Sequence, residues 1–165
     1  MRIVQFTPGT GSFYCGSFLR DNMLVTALRR LGHDATLVPL YLPHITDETS
    51  AAIGSPLFFG GINVYLQQQS ALFRHTPAWF DHWFDSPRLL SFAAAHASMT
   101  SASNHGAMTL SMLHGEEGRQ AKELDKVLAW LRQPEHRPDV LSLSNGLLIG
   151  MARRIRAELQ IPVVA

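Results

Sequence analysis

Short apolar runs separated by glycine and proline predict alternating strands and helices at both ends of the chain. Ile3 to Phe6 is typical of a short buried strand, and a glycine-rich loop follows it. A helix is predicted from Ser17, a good N-cap, to a stop at Gly32, because apolar residues recur there at close to the 3.6-residue period. The apolar positions of this helix are Phe18, Leu19, Met23, Leu24, Ala27, Leu28 and Leu31.

A second strand, Ala35 to Leu40, completes a βαβ unit, which predicts a right-handed crossover and parallel strands. The C-terminal end repeats this order with a strand at Val140–Leu143, a helix at Gly146–Leu159 and a strand at Ile161–Ala165. Since the chain stops on an apolar strand without a polar tail, we expect it to be one domain of a longer protein. The inward positions of the second helix are predicted to be Leu147, Leu148, Met151, Ile155 and Leu159.

The middle of the chain is less regular and predicts mainly helices. These are expected at Ile62–Phe73, Pro77–Phe84, Pro87–Ser98 and Gly115–Arg132, after a short strand at Pro56–Phe59. The last of these helices is amphipathic, with Leu124, Val127, Leu128 and Leu131 inward. The pattern as a whole predicts an α/β fold, a Rossmann-like three-layer domain with a parallel sheet and a helical middle segment.

Composition narrows the functional classes. A chain of 165 residues with 46% hydrophobic and 16% charged residues predicts one globular domain and excludes a disordered segment. A net charge of +1 argues against nucleic-acid binding, and a single cysteine excludes an internal disulfide framework. The sequence has neither an apolar run long enough to span a membrane nor the layout of a signal peptide, so we expect a cytoplasmic protein.

The loop after the first strand is a candidate anion site. Its spacing is Gly9-x-Gly11-x4-Gly16, and the backbone N–H groups of such a loop can approach a phosphate at the start of a helix. The spacing matches neither the dinucleotide fingerprint nor a Walker A loop. A tight turn without a ligand therefore stays open as the alternative, and Cys15 is interpreted as a small residue that fills the loop.

Two further stretches are candidates for chemistry. The run from Phe58 to Tyr65 joins two aromatics, a Gly-Gly turn and an asparagine, which suits sugar binding or a strand-to-helix turn over core phenylalanines. The charged run from Glu116 to Glu123 is predicted to be a solvated helix face. The eight histidines include no i, i+4 pair of the kind that binds zinc in hydrolases, so we expect no metal. The sequence has no G-x-S-x-G motif, which argues against an esterase.

The chain resembles the N-terminal domain of glycosyltransferase family 4, the GT-B nucleotide-sugar enzymes. The likeness rests on the segment from Met1 through the glycine loop to Leu31-Gly32-His33 and Val38, and on the segment from Pro138-Asp139-Val140 to Pro162-Val163-Val164. The resemblance implies two Rossmann-like domains that face a cleft in the full enzyme. It also implies sugar transfer with retention of configuration and without a metal or other cofactor, because the nucleotide-sugar is a substrate.

The resemblance also implies which residues bind. The glycine loop would close on the donor diphosphate, the N-terminal domain would bind a sugar or lipid-linked acceptor, and peripheral contact with a membrane surface is expected. The donor diphosphate loop is then Gly9, Gly11, Cys15 and Gly16, and the acceptor-binding residues are Phe59, Gly60, Gly61, Asn63, Tyr65, Ser144 and Asn145.

The sequence departs from the family in ways that limit this interpretation. Cys15-Gly16 stands where the family has Gly-Gly, and Ser142, Ser144 and Asn145 occupy the region of a histidine frequent in the family. A general base is not visible, so the catalytic residues are unknown. The donor domain lies outside this chain, and we expect the fragment alone to be inactive. Two alternatives stay open: a self-contained flavodoxin-like module that binds a small molecule or nucleotide, and a noncatalytic remnant that only associates with partners.

Overall fold

The structure is a computed structural model that describes residues 1–9, 16–41, 49–52, 54–56, 58–59 and 102–165, with the backbone alone at 102–105. Four strands are present in this part of the chain: β1 (Arg2–Thr7), β2 (Asp34–Pro39), β3 (Val140–Leu143) and β4 (Val163–Val164). The α-helices are α1 (Gly16–Arg30), α2 (Ala102–His114), α3 (Ala121–Leu131) and α4 (Ala152–Leu159), and 3₁₀ turns span Gly115–Glu117 and Gly146–Met151.

The strands form one sheet in the order β2-β1-β3-β4, and each neighbouring pair is parallel. Ile3 of β1 is in register with Ala35 of β2 on one side and with Val140 of β3 on the other. The chain therefore leaves β1 first toward β2 and later returns on the opposite side to form β3. This arrangement confirms the predicted α/β fold with a parallel sheet.

Helices cover both faces of the sheet, and each face has its own core. Val25 of α1 packs with Ile3 and Leu37 on one face, whereas α3 and α4 pack on the other. The core under α3 and α4 is the larger of the two, and the buried residues that these helices supply to it are Leu124, Val127, Leu128, Leu131, Ile155 and Leu159. The three predicted layers are therefore present.

The C-terminal end of α1 follows the prediction, but its buried face does not. His33 N–H donates to the Leu28 carbonyl at 3.1 Å and Gly32 N–H to that of Arg29 at 3.0 Å. With Gly32 at a φ of +84°, this is a Schellman motif that ends the helix.

The buried residues of α1 are Asp21, Asn22 and Val25, whereas Met23 is 62% exposed and Leu24 41% exposed. The amide of Asn22 is hydrogen-bonded to the backbone of residues 49–51, after β2. The predicted apolar face was therefore wrong, because it counted leucine and methionine and overlooked this buried polar stripe. The helix begins at Gly16, next to the predicted start.

The C-terminal helices are confirmed in outline and corrected in detail. The segment predicted as one helix from Gly146 is a 3₁₀ turn that continues into α4, and Leu147 is exposed instead of buried. The four apolar residues predicted to face inward from α3 are all buried. The adjoining charged run is not fully solvated, because Glu123 is 1% exposed and pairs with Lys126 at 2.9 Å.

The middle segment is only partly within the described residues. The helices predicted at 62–73, 77–84 and 87–98 lie outside them. The described residues of the predicted strand at 56–59 are not in a strand. Helix α2 was not predicted, since its sequence is rich in serine, asparagine, glycine and threonine, which are weak helix formers.

Glycines permit α2 to approach the turn Gly146–Met151 at backbone distance. A Cβ at Gly150 would lie 2.6 Å from the carbonyl oxygen of Leu113 and would collide with that of Met112. A Cβ at Gly115 would in turn collide with the carbonyl of Gly150. The position of α2 on the larger core therefore depends on the absence of side chains at these two glycines.

We expect Gly150→Ala to lower the free energy of unfolding by about 2 kcal/mol or more, because the backbones of α2 and the turn must separate to admit a methyl group. Urea denaturation measures this change. The matched control is Gly106→Ala in α2, where an added Cβ meets no atom within 4 Å and the same substitution should raise stability by up to about 1 kcal/mol. Equal stability of the two variants would contradict the packing described here.

Candidate functional site

The carboxyl edge of the sheet, where the parallel strands end, is the candidate site. The strand order reverses at β1, so the connections after β1 and β3 run to opposite sides of the sheet. In open α/β sheets a crevice forms at such a switch point, and ligands bind there. Gly9 follows β1, Gly16 begins α1, and Ser144 and Asn145 follow β3.

Two residues of the predicted donor loop are described, and they differ in conformation. Gly9 has a φ of +87°, a region that side chains rarely adopt, so the turn after β1 requires glycine. Gly16 has no positive φ, and a Cβ added there would meet no atom of the described residues within 4 Å. Neither backbone strain nor packing against the described residues therefore requires glycine at position 16. Gly11 and Cys15 lie outside the described residues.

The two predicted acceptor residues after β3 have different roles in the fold. Ser144 N–H continues the ladder by donating to the Phe6 carbonyl at 3.0 Å, and its side-chain hydroxyl is buried without a hydrogen-bond partner. Asn145 caps the following 3₁₀ turn, since its Oδ1 accepts from Leu147 N–H at 3.0 Å. The sheet thus brings Ser144 and Asn145 to the same edge as Gly9 and Gly16.

Phe59 lies near the same edge but on the opposite face from α1. It is 3% exposed and has a φ of +53°, and its ring centroid lies 5.2 Å from that of Tyr41, which follows β2. The remaining predicted acceptor residues, Gly60, Gly61, Asn63 and Tyr65, lie outside the described residues.

Sequence analysis missed Arg20 and Asp21, which the structure brings to the carboxyl edge. Asp21 is fully buried, and its Oδ1 accepts from Arg20 Nη2 at 3.0 Å and from Arg20 Nε at 3.3 Å. Arg20 Nη2 also donates to the Ser144 carbonyl at 2.7 Å. This contact ties the beginning of α1 to the end of β3. A polar pair on the buried side of a helix is a signal that inspection of its apolar positions alone overlooks.

Beneath the start of α1, polar side chains replace the apolar core. Because strand side chains alternate between faces, Gln5 and Thr7 share the α1 side of β1 with Ile3, and Ser144 continues that side of β3. Together with Asp21 these residues form what we call the buried polar cluster: Gln5, Thr7, Asp21 and Ser144. In the described part of the chain, each has one buried side-chain atom without a hydrogen-bond partner, namely Gln5 Oε1, Thr7 Oγ1, Asp21 Oδ2 and Ser144 Oγ.

A second polar group, formed by Tyr41 and Gln120, lies on the face of the sheet opposite α1. The Tyr41 hydroxyl donates to Gln120 Oε1 at 2.8 Å. Burial, and to a lesser extent the negative charge of Glu123, raises the pKa of Tyr41 above its ordinary value. The phenol therefore stays protonated as a hydrogen-bond donor, which makes it unsuited to act as a general base.

The part of the chain that the structure describes contains neither a candidate metal site nor a candidate membrane-spanning helix. Those residues contain no group of three or more histidines, cysteines or acids that could hold an ion. Among them, no helix has the length and apolar character needed to cross a bilayer.

Comparison with known proteins gives no relative for this chain. No protein-family model matches it, and neither a curated protein nor a solved structure matches it significantly. The function of this chain is therefore inferred from the geometry of the carboxyl edge.

We expect Thr7→Val to raise the free energy of unfolding by about 1 kcal/mol, because the methyl group fills the same space and removes a buried hydroxyl that has no partner. Chemical denaturation followed by circular dichroism measures the change. The control is Thr36→Val on β2, a half-buried threonine on the opposite face, which should change stability by less than about 0.5 kcal/mol. A clear loss of stability in Thr7→Val would mean that the hydroxyl serves the fold.

Proposed function

We propose that this chain is the acceptor-binding half of a retaining family 4 glycosyltransferase, which transfers a sugar from a nucleotide-sugar donor. The observation that carries the proposal is the convergence of Gly16, Ser144 and Asn145 at the carboxyl edge, where the strand order reverses. The βαβ start and the Pro-Asp-Val strand that first suggested the family both lie in the sheet that forms this edge.

Support for the donor side comes from Gly9 and Gly16. Gly9 turns the chain immediately after β1, and Gly16 leaves the start of α1 open, which allows a diphosphate to approach the backbone N–H groups. A glycine that neither strain nor packing requires is accounted for by the close approach of a ligand. Gly11 and Cys15 complete the proposed loop.

Support for the acceptor side comes from Ser144 and Asn145. The Ser144 hydroxyl has no partner within the described residues, and Asn145 uses Oδ1 as a cap while its Nδ2 group donates to none of those residues. A hydroxyl and an amide side by side can bind sugar hydroxyls, which both donate and accept. The proposal also includes Phe59, Gly60, Gly61, Asn63 and Tyr65 as acceptor-binding residues.

The proposal extends to the whole enzyme and its surroundings. A second Rossmann-like domain would hold most of the donor, and closure of the two domains would build the site. The acceptor would be a sugar or a lipid-linked sugar, and the cytoplasm would be the location. The exposed side chains of Leu19, Met23 and Leu24 on α1, and of Leu31 just after it, support peripheral contact with a membrane surface.

The flavodoxin-like alternative has one observation in its favour. The order β2-β1-β3-β4 is the order in which flavodoxin-like sheets begin, and their ligand binds at the same switch point between β1 and β3. A self-contained nucleotide-binding module would then use the same edge without a second domain. The two functions differ in their ligand: a nucleotide-sugar in one case, flavin mononucleotide or a free nucleotide in the other.

We expect Gly16→Ala in the full enzyme to weaken nucleotide-sugar binding about tenfold or more while leaving the fold as stable as before or slightly more stable. The reason is that the added methyl group meets no atom of the described residues but occupies the space next to the backbone N–H groups. Calorimetric titration with UDP-glucose and GDP-mannose measures affinity, and urea denaturation measures stability. Gly106→Ala, also an open glycine in a helix, is the matched control and should bind like the wild type.

Two results would count against the proposal in different ways. Unchanged nucleotide-sugar affinity in Gly16→Ala would remove the donor loop from the site. Binding of flavin mononucleotide by the wild type, with no binding of any nucleotide-sugar, would favour the flavodoxin-like alternative.

We also expect residues 1–165 alone to transfer no sugar, since the proposed site requires closure against a donor domain. A mass-spectrometric assay with nucleotide-sugars and simple sugar acceptors measures transfer and hydrolysis together. Turnover by this chain alone would contradict the division into acceptor and donor halves.

A further inference from the structure

The guanidinium of Arg20 is anchored at the carboxyl edge and still reaches solvent. Its Nε and Nη2 groups donate to Asp21 Oδ1, and Nη2 also donates to the Ser144 carbonyl. The Arg20 side chain is 59% exposed, whereas that of Asp21 is 1% exposed. One end of the guanidinium is therefore held by buried groups, and its Nη1 end donates to none of the described residues.

This pairing is unusual for consecutive helical residues, whose side chains point about 100° apart around the helix axis. To reach both Asp21 and the Ser144 carbonyl, the Arg20 side chain must fold back across the start of α1 toward the end of β3. The rotamer freedom of a long side chain is thus lost in the folded protein, before any ligand arrives.

The anchor leaves polar atoms in the protein interior unpaired. Asp21 Oδ2 has no hydrogen-bond partner within the described residues, and the same holds for the hydroxyl oxygens of Thr7 and Ser144 in the buried polar cluster. Because the Arg20 side chain is 59% exposed, its ion pair with Asp21 adds little to stability. What the pair does is orient the Arg20 side chain.

The charge at this edge favours an anion. The first turn of α1 carries no acidic residue, so the positive end of the helix dipole is not offset by a side chain there. Asp21 offsets part of the Arg20 charge, but its side chain is 1% exposed, whereas that of Arg20 is 59% exposed. The Nη1 group, which donates to none of the described residues, can form charge-assisted hydrogen bonds to phosphate oxygens.

We propose that Arg20 binds a phosphate group of the ligand at the carboxyl edge and that Asp21 is the positioning residue that orients it. The inference rests on the proposed function for the identity of that ligand, the diphosphate of a nucleotide-sugar. Arg20 adds a side-chain contact to the backbone N–H groups at the start of α1. Asp21 itself does not touch the ligand.

The test measures the affinity of the 165-residue chain for inorganic pyrophosphate by calorimetry at low ionic strength. Arg20→Gln should weaken binding about tenfold or more, because a charge-assisted hydrogen bond to phosphate is lost. Arg20→Lys should give an intermediate affinity, since it keeps the charge and loses the Nε and Nη2 contacts that orient the side chain. Arg30→Gln removes an exposed arginine from the last turn of the same helix and should change the affinity by less than about twofold.

The positioning role of Asp21 has its own readout. Asp21→Asn should weaken pyrophosphate binding in the wild-type background but should have no further effect when combined with Arg20→Gln, because it acts through the arginine. Additive losses in the double variant would overturn the positioning role. If Asp21→Asn does not fold, the exposed Arg20 variants still decide the anion site, since equal binding by Arg20→Gln and wild type would overturn it.

The same variants separate this inference from the proposed function. Pyrophosphate binding that depends on Arg20, in a protein that binds no nucleotide-sugar, would support the anion site and contradict the glycosyltransferase. Nucleotide-sugar binding of equal strength in Arg20→Gln and wild type would support the proposed function and overturn the role of Arg20.

Discussion

The two-sided pairing of β1 is the constraint on which the rest of the structure depends. β1 pairs in parallel with β2 and with β3, so both of its edges are used and both of its faces need cover. Val4 and Phe6 are buried in the core under α3 and α4, while Ile3 is buried in the core under α1. Because β1 is central, helices must cover both faces of the sheet. The chain also adds β2 on one side of β1 and β3 on the other, so the strand order reverses between β1 and β3.

The amino edge of the sheet, where the strands begin, and the carboxyl edge, where they end, differ in how fully their polar groups are hydrogen-bonded. At the amino edge, Arg2 holds three segments together: its N–H donates to Asp139 Oδ2 at 2.7 Å, its Nε to Asp34 Oδ2 at 2.8 Å, and its Nη1 to the Pro134 carbonyl at 2.8 Å. At the carboxyl edge, side-chain atoms of the buried polar cluster have no hydrogen-bond partner within the described residues. The polar groups at the amino edge are thus accounted for by the fold, and those at the carboxyl edge are what a ligand at the proposed site would explain.

The sequence predicted the sheet well because its strands are short apolar runs with clear boundaries. β3 has the predicted limits, and Gly32 ends α1 as expected, since a left-handed position after a helix strongly favours glycine. The candidate site was predicted only in part. Ser144 and Asn145 follow a recognisable strand, whereas Arg20 and Asp21 lie in a helix where charged residues are usually solvated, and their pairing depends on the end of a strand more than a hundred residues away. Helix α2 was missed because contact with the turn at Gly150, and not local propensity, holds it in place.

The inverted faces of α1 have a consequence for anyone who compares this chain with others. Alignment methods place an amphipathic helix by matching its leucines and methionines, and in α1 such residues are exposed, as at Met23 and Leu24. The buried positions are Asp21, Asn22 and Val25. An alignment that matches this polar stripe, with Gly32 at the end of the helix, will pair buried residues with buried residues. An alignment guided by hydrophobicity will pair the exposed leucines and methionine of α1 with the buried residues of another helix.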